Sequence, residues 1–281
     1  MKQKRVVASL VVLLAALAVQ QHAAAQAETA TALSERLVLR SGLAVQIRNI
    51  GKQVLDQAAS RQAGIPRHAA ASFAAAVKEA FRPEALQADV VKTLAANMPR
   101  EDMELALRWL ETDAGRRVTR AEELAATTMD EASLRAFGES LRSSPPSGRR
   151  LKLLAVTLEA SYGVESAVQI YESTALGVAI GMDSLQPAQK RIGAKRLRAE
   201  LQKAMPTAEL RASMQKAIPL LYAYTYRDVS DQDMAAYNTF LTSPAGQRYH
   251  EAVLGALEGA LVRASFRLGQ LLEPPGKKRE S

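Results

Sequence analysis

Residues 102–119 read DMELALRWLETDAGRRVT, and residues 233–250 read DMAAYNTFLTSPAGQRYH. The two stretches are 131 positions apart and align without a gap, and six of the 18 positions are identical. Self-similarity at a fixed offset is the signature of a repeated structural unit. We therefore predict an all-α protein made of two duplicated helical units, each with roughly five to six helices and each containing one of these stretches.

The repeated stretch predicts a tight corner between two consecutive helices. One helix ends just after Trp109, and Thr112 caps the next, because a hydroxyl oxygen there accepts a hydrogen bond from a free N–H of the first turn. Gly115 falls in that first turn, where the missing Cβ lets another part of the backbone come close. The second copy has Phe240, Ser243 and Gly246 at the equivalent positions.

The second corner also resembles a known family. Residues 240–248, FLTSPAGQR, are similar to the signature of the family called domain of unknown function 2059, in which an aromatic-rich helix runs into a Ser-Pro-x-Gly turn and a following helix. The similarity is clearest over residues 205–262. The first copy departs from it, with Asp113 in place of the proline and Arg116 in place of the glutamine. The resemblance implies an exported, alanine-rich helical protein of Gram-negative bacteria, and it implies no catalytic residue.

The first 25 residues have the pattern of a cleavable signal peptide. Three cations precede residue 6, an uncharged apolar run follows to residue 19, and Ala23-Ala24-Ala25 supplies a small-residue cleavage site. A membrane-spanning helix needs about 20 apolar residues, which this run does not reach. We therefore expect residues 1–25 to be removed and the protein to be periplasmic. The absence of cysteine excludes lipidation at the cleavage site and a disulfide framework.

Composition and turn residues give the expected domain organisation. Alanine and leucine dominate, aromatic residues make up 5%, and no β-branched run has a period of two, so helix is favoured throughout. The strongest break is SSPPSG at residues 143–148, because two prolines stop a helix. We place the first unit at 26–145, the second at 146–272 and a flexible tail at 273–281. The expected helices cover 31–61, segments starting at Pro66, Pro83 and Pro99, 113–128, 130–142, 148–160, 163–181, 187–204, 207–227, 230–243 and 244–272.

The sequence predicts no catalytic, cofactor-binding or metal-binding residue. His68 and His250 have no second ligand at helical spacing, so we interpret both as surface or capping residues. No nucleophile elbow, glycine-rich phosphate loop or EF-hand is present. The carboxylate pairs Glu122-Glu123 and Asp130-Glu131 are typical of solvated helix faces or helix starts.

Two further clusters each allow a functional and a structural interpretation. Residues 190–198, KRIGAKRLR, carry five cations, which suits peripheral contact with anionic lipid or an acidic partner, but their weak apolar side favours an ordinary solvated face. Tyr222, Tyr224 and Tyr226 could form one wall of an apolar groove, whereas packing between helices is the interpretation that we prefer.

The functional expectations follow from these features. The first is a non-enzymatic binding or interaction protein of the cell envelope, with an envelope protein as its partner. The second is a periplasmic carrier of a lipid or apolar small molecule, held between helices near the tyrosines. The third is a hydrolase that acts through carboxylates. Nucleic acid is not an expected partner, because the chain has few aromatic residues for base stacking.

Overall fold

The computed structural model describes residues 28–60, 67–184 and 186–272, and all regular structure within these residues is helical. The expected all-α class is therefore confirmed, whereas the signal-peptide segment and the 273–281 tail lie outside the described residues. The helices are α1 (Ala30–Arg40), α2 (Leu43–Ser60), α3 (Arg67–Ala80), α4 (Pro83–Asn97), α5 (Arg100–Leu110), α6 (Asp113–Thr128), α7 (Glu131–Ser143), α8 (Gly148–Ala160), α9 (Gly163–Ser184), α10 (Gly193–Ala204), α11 (Thr207–Thr225), α12 (Asp231–Leu241) and α13 (Pro244–Leu272).

Two of the expected helices are each interrupted at a glycine. The segment 31–61 is divided into α1 and α2, because Gly42 adopts a left-handed conformation with φ +70°. The segment 187–204 begins with a short 3₁₀ helix (Ala188–Lys190), and α10 begins at Gly193, whose φ is +78°. Side chains other than glycine rarely adopt this region, so Gly42 separates α1 from α2, and Gly193 marks the start of α10 after the 3₁₀ helix.

The larger hydrophobic core contains residues from both ends of the chain. It joins α1–α5 to Val178 of α9 and to a buried stripe of α13 that runs from Tyr249 to Leu272. The long helix α13 packs along α3, α4, α5 and α9. Segments 26–145 and 146–272 therefore share one core.

A second, smaller core lies among α6, α8, α11 and α12. It contains Val118, Leu154, Tyr226, Met234 and Leu241, which are all at most 8% exposed. The side chains of Trp109 and Phe240 pack against both cores, so these two aromatic residues connect them.

The two corners have the same internal hydrogen bonds. The Gly115 N–H donates to Thr112 Oγ1 at 3.0 Å, and the Gly246 N–H donates to Ser243 Oγ at 3.1 Å. The predicted helix caps are therefore confirmed. A Cβ on Gly246 would lie 1.9 Å from the carbonyl oxygen of Phe240, so the close backbone approach that we expected at these glycines is also present.

The two corners also contact each other reciprocally. Arg248 donates two hydrogen bonds to the Asp102 carboxylate, at 2.7 and 2.8 Å, and Arg117 donates two to the Asp233 carboxylate, at 2.7 and 2.9 Å. The rings of Trp109 and Phe240 stack between them, with centroids 5.3 Å apart and planes 13° apart. These hydrogen bonds hold the pKa of both aspartates below the ordinary value.

Candidate functional site

An apolar cleft lies among α9, α10, α11 and α13, with a volume of about 430 Å³. This volume falls within the range of about 300–1,000 Å³ that is usual for small-molecule sites. Its walls are predominantly apolar, as in most such sites. The large apolar residues that line it include Leu176, Ile180, Leu201, Leu210, Val262 and Phe266.

The floor of the cleft is a close crossing of α9 and α13. A Cβ on Gly177 would lie 1.8 Å from Ser265 Oγ, and a Cβ on Gly181 would lie 2.4 Å from a methyl group of Leu268. Larger residues at either glycine would therefore force the two helices apart. The small-residue row that lets α13 approach α9 thus fixes the depth of the cleft.

The wall formed by α10 is attached to the protein by polar contacts. No residue of α10 is buried. The N–H groups of Ile192 and Gly193 each donate to the Asp183 carboxylate at 3.0 Å, so the end of α9 holds the start of α10. Ala194 and Leu201 of α10 face the cleft, whereas Ala199 of the same helix does not line it.

Three charged residues line the cleft, and two of them join its walls. Glu172 on α9 accepts a hydrogen bond from the Thr207 hydroxyl of α11 at 2.7 Å. Glu258 on α13 accepts one from the Gln169 amide of α9 at 2.5 Å. Arg198 on α10 is exposed and forms no ion pair with the other residues that the structure describes. The guanidinium of Arg198 is therefore the one cation of the cleft lining, beside two carboxylates that accept hydrogen bonds from neutral side chains.

The tyrosine cluster does not line this cleft. Tyr224 and Tyr226 are buried, and Tyr222 is half-buried with its hydroxyl 2.8 Å from Ser161 Oγ. Tyr226 packs within the smaller core, while Tyr224 meets the Phe137 ring edge-on at 5.3 Å. The cleft thus lies away from the place where the sequence suggested a groove.

The carboxylate pairs separate instead of converging. The Glu122 carboxylate accepts hydrogen bonds from the hydroxyls of Tyr226 at 2.7 Å and Tyr237 at 3.1 Å. Burial raises the pKa of Glu122 to about 6, even though both hydroxyls stabilise the charged form. The Glu123 side chain lies instead against Gly42. Asp130 caps α7 through the Ser133 N–H, and the expectation of a helix-start role for this residue is confirmed.

The outcomes differ for His68 and His250, the two histidines beyond residue 25. The side chain of His68 falls outside the described residues. His250 has a buried Nε2 atom without a hydrogen-bond partner among the described residues, so the expectation of a surface or capping histidine is wrong for this position. Burial lowers the pKa of His250 to about 4. The ring of His250 meets the ring of Tyr249 edge-on, with centroids 5.2 Å apart.

Among the described residues no three His, Cys, Asp or Glu side chains are grouped closely enough to hold a metal ion. None of the described helices combines the length and the apolar character needed to cross a bilayer. The comparisons with protein-family models, characterised proteins and solved structures find no match to this chain.

Proposed function

We propose that the protein binds a single-chain amphiphile, with its alkyl or acyl chain in the cleft and an anionic head group at Arg198. One observation carries this proposal: a mostly apolar cleft of about 430 Å³ has in its wall one cation that forms no ion pair with any acid of the described residues. Burying an alkyl chain gives most of the binding free energy, about 25 cal/mol for each Å² of apolar surface. The guanidinium then selects the charge of the head group.

The carboxylates of the cleft support binding better than hydrolysis. Glu172 and Glu258 lie on different helices, and each is engaged in a hydrogen bond with a side chain of an adjacent helix. Such contacts hold the walls of the cleft together. A non-enzymatic binding role therefore fits these groups, and the carrier hypothesis and the binding-protein hypothesis become one proposal.

Filling the cleft should weaken binding of dodecanoate, a simple anionic amphiphile. In the Ala194→Trp variant the indole occupies the space beside α10, and we expect the affinity to fall by about tenfold or more, since a buried apolar side chain is worth about 1.5–3 kcal/mol. Ala199→Trp is the matched control, because Ala199 is exposed on the same helix outside the cleft. Isothermal titration calorimetry measures both. Equal affinities of the two variants would contradict the proposal.

The charge of Arg198 gives a second arm of the same experiment. Arg198→Gln should weaken dodecanoate binding by about tenfold, because a charge-assisted hydrogen bond contributes about 1.5–3 kcal/mol. Binding of dodecanol, which has the same chain without the charge, should change by less than about twofold. Native mass spectrometry of the protein purified from the periplasm should also show a co-purifying amphiphile, and fractionation of the cells tests the compartment.

We also propose that the chain contains two equivalent helical units, as the sequence repeat suggests, and that they associate like the subunits of a twofold dimer. In such an interface residue i of one copy contacts residue j of the other, and j contacts i. The Asp102–Arg248 and Asp233–Arg117 pairs have this reciprocity, and Trp109 stacks on its own equivalent, Phe240. The same proposal includes kinship with the family that residues 240–248 resemble.

Double-mutant cycles should show coupling within each reciprocal pair and none between the pairs. We expect a coupling free energy of roughly 1 kcal/mol for Asp102→Ala with Arg248→Ala, and a similar value for Asp233→Ala with Arg117→Ala, because both pairs are bidentate and their arginines are exposed. The control cycle combines Asp102→Ala with Arg117→Ala and should be additive. Urea unfolding provides the free energies. Very unequal couplings in the two pairs would argue against equivalent units.

A further inference from the structure

Helix α10 is strongly basic, and two of its cations outside the cleft lack an ion-pair partner within the part of the chain that the structure describes. Between Gly193 and Ala204 the sequence has four cations and one acid, Glu200, which pairs with Lys203 at 3.3 Å. Lys195 and Arg196 are exposed and form no ion pair with the other described residues. Neither of them lines the cleft. These two cations are therefore available to a partner outside the cleft.

Exposed apolar side chains border the same helix. Phe266 on α13 is 61% exposed, Met205 is 42% exposed and Ile192 is 41% exposed. Phe266 and Met205 line the cleft, and Ile192 immediately precedes α10. A large aromatic side chain that is more than half exposed gains free energy when an apolar phase covers it.

We propose that α10, Ile192, Met205 and Phe266 form a docking surface for an anionic lipid bilayer. Surfaces that bind at the bilayer interface combine apolar side chains, which enter the acyl boundary, with cations that attract anionic head groups. Both components are present here, and the apolar one comes from α13 as well as from α10. A fully polar acidic partner would neutralise Lys195 and Arg196 but would leave Phe266 uncovered.

This docking surface is additional to the cleft's binding role, and it deepens that role in one respect. If the cleft binds an amphiphile as proposed above, that amphiphile enters the cleft from the bilayer. Because Met205 and Phe266 are at the cleft, docking would place its apolar lining next to the acyl chains. Lys195 and Arg196 lie outside the cleft, so docking can be disabled without altering the cleft.

Sedimentation with sucrose-loaded vesicles tests the docking surface on the full chain. We expect binding to vesicles of phosphatidylcholine mixed with phosphatidylglycerol and little binding to phosphatidylcholine alone, with a steep loss on adding salt. The double variant Lys195→Glu/Arg196→Glu should lower the partition coefficient by about thirtyfold or more, since each cation near an anionic surface contributes about fivefold. Phe266→Ser should lower it by about tenfold.

Matched controls separate docking from a general effect of charge or hydrophobicity. Arg120→Glu/Lys152→Glu reverses two exposed cations on α6 and α8, and Leu39→Ser removes an apolar residue that is 61% exposed on α1. Both should keep the original partition coefficient within about threefold. Equal losses in the controls would overturn the proposal, as would binding that ignores phosphatidylglycerol.

Two further measurements distinguish the remaining outcomes. The Lys195→Glu/Arg196→Glu variant should still bind dodecanoate, so a loss of vesicle binding with intact dodecanoate binding supports docking as a separate function. Failure of dodecanoate binding in the unmodified protein would refute the cleft proposal and leave docking standing. Binding to polyglutamate without binding to anionic vesicles would identify an acidic polypeptide as the partner and overturn the lipid proposal.

Discussion

The Gly246→Ala variant should lose about 4 kcal/mol or more of its free energy of unfolding. The added methyl group would lie 1.9 Å from the carbonyl oxygen and 2.7 Å from the carbonyl carbon of Phe240. Both atoms belong to the backbone, so no side-chain rotation relieves the clash, and the corner between α12 and α13 must open. Effects of this size are exceptional for single substitutions and amount to a large part of a typical stability of about 5–15 kcal/mol.

Gly255→Ala is the matched control, because it makes the same change two turns and more along the same helix. A Cβ on Gly255 meets nothing within 4 Å. Alanine should therefore raise the stability by about 0.5–1 kcal/mol through its better helix propensity. Gly115→Ala should resemble Gly246→Ala, since its Cβ would lie 2.2 Å from the Trp109 carbonyl oxygen. Urea unfolding followed by circular dichroism decides the matter, and an unchanged midpoint for Gly246→Ala would be inconsistent with this corner.

The second large effect is a loss of stability at acidic pH that depends on His250. Burial holds the pKa of His250 at about 4, against an ordinary value of 6.5. The unfolded chain therefore takes up this proton first, and stability is lost as the pH falls from about 6.5 to 4. A depression of this size corresponds to about 3 kcal/mol. The His250→Leu variant should lack this loss.

Glu122 has the opposite effect on the free energy of unfolding, over an overlapping pH range. Its pKa is about 6 in the folded protein and 4.5 ordinarily, so the folded state takes up this proton first. Its protonation raises stability by about 2 kcal/mol as the pH falls from 6 to 4.5, and the original protein should lose only about 1 kcal/mol in net.

The two variants separate these contributions when unfolding is measured between pH 7.5 and 4.5. His250→Leu should become more stable on acidification, and Glu122→Gln should show most of the loss that comes from His250, about 2.5 kcal/mol by pH 4.5. At pH 7.5 the Glu122→Gln variant should also be more stable than the original protein, because the substitution removes a buried charge. This range stays above the region in which Asp102 and Asp233, with their lowered pKa values, begin to contribute. Parallel pH profiles of the two variants would contradict both assignments.

The helix bounds are predictable from the sequence where capping or helix-breaking residues mark the ends of a helix. The bounds of α8 and α13 agree with the expectation, because Ser147-Gly148 and Ser243-Pro244 combine a capping hydroxyl with a residue suited to the first helical position. The breaks at Gly42 and Gly193 were missed. A single glycine inside a helical pattern does not disclose whether its φ is positive, and the apolar spacing continues on both sides of Gly42.

The cleft and the Glu122 cluster were not predictable, because both depend on which helices become neighbours. Glu122 meets the hydroxyls of Tyr226 and Tyr237 from positions 104 and 115 residues away. A lone glutamate on an amphipathic helix carries no signal of such partners. The basic segment 190–198 is visible in the sequence, but its local apolar side is weak, because Phe266 belongs to α13 and lies 68 residues beyond Arg198. The reciprocal ion pairs could be predicted from the sequence, since Asp102/Asp233 and Arg117/Arg248 are among the identical positions of the repeat.

The reciprocal contacts between the corners also constrain how the chain is made. During synthesis Arg117 can pair only after Asp233, 116 residues further along, has been made. Asp102 can pair only after Arg248, 146 residues further along. The stripe of α13 that closes the larger core is synthesised last of all the described helices. A growing chain can therefore form individual helices early but cannot complete its larger core until α13 has been synthesised. Contacts over such long sequence separations slow folding.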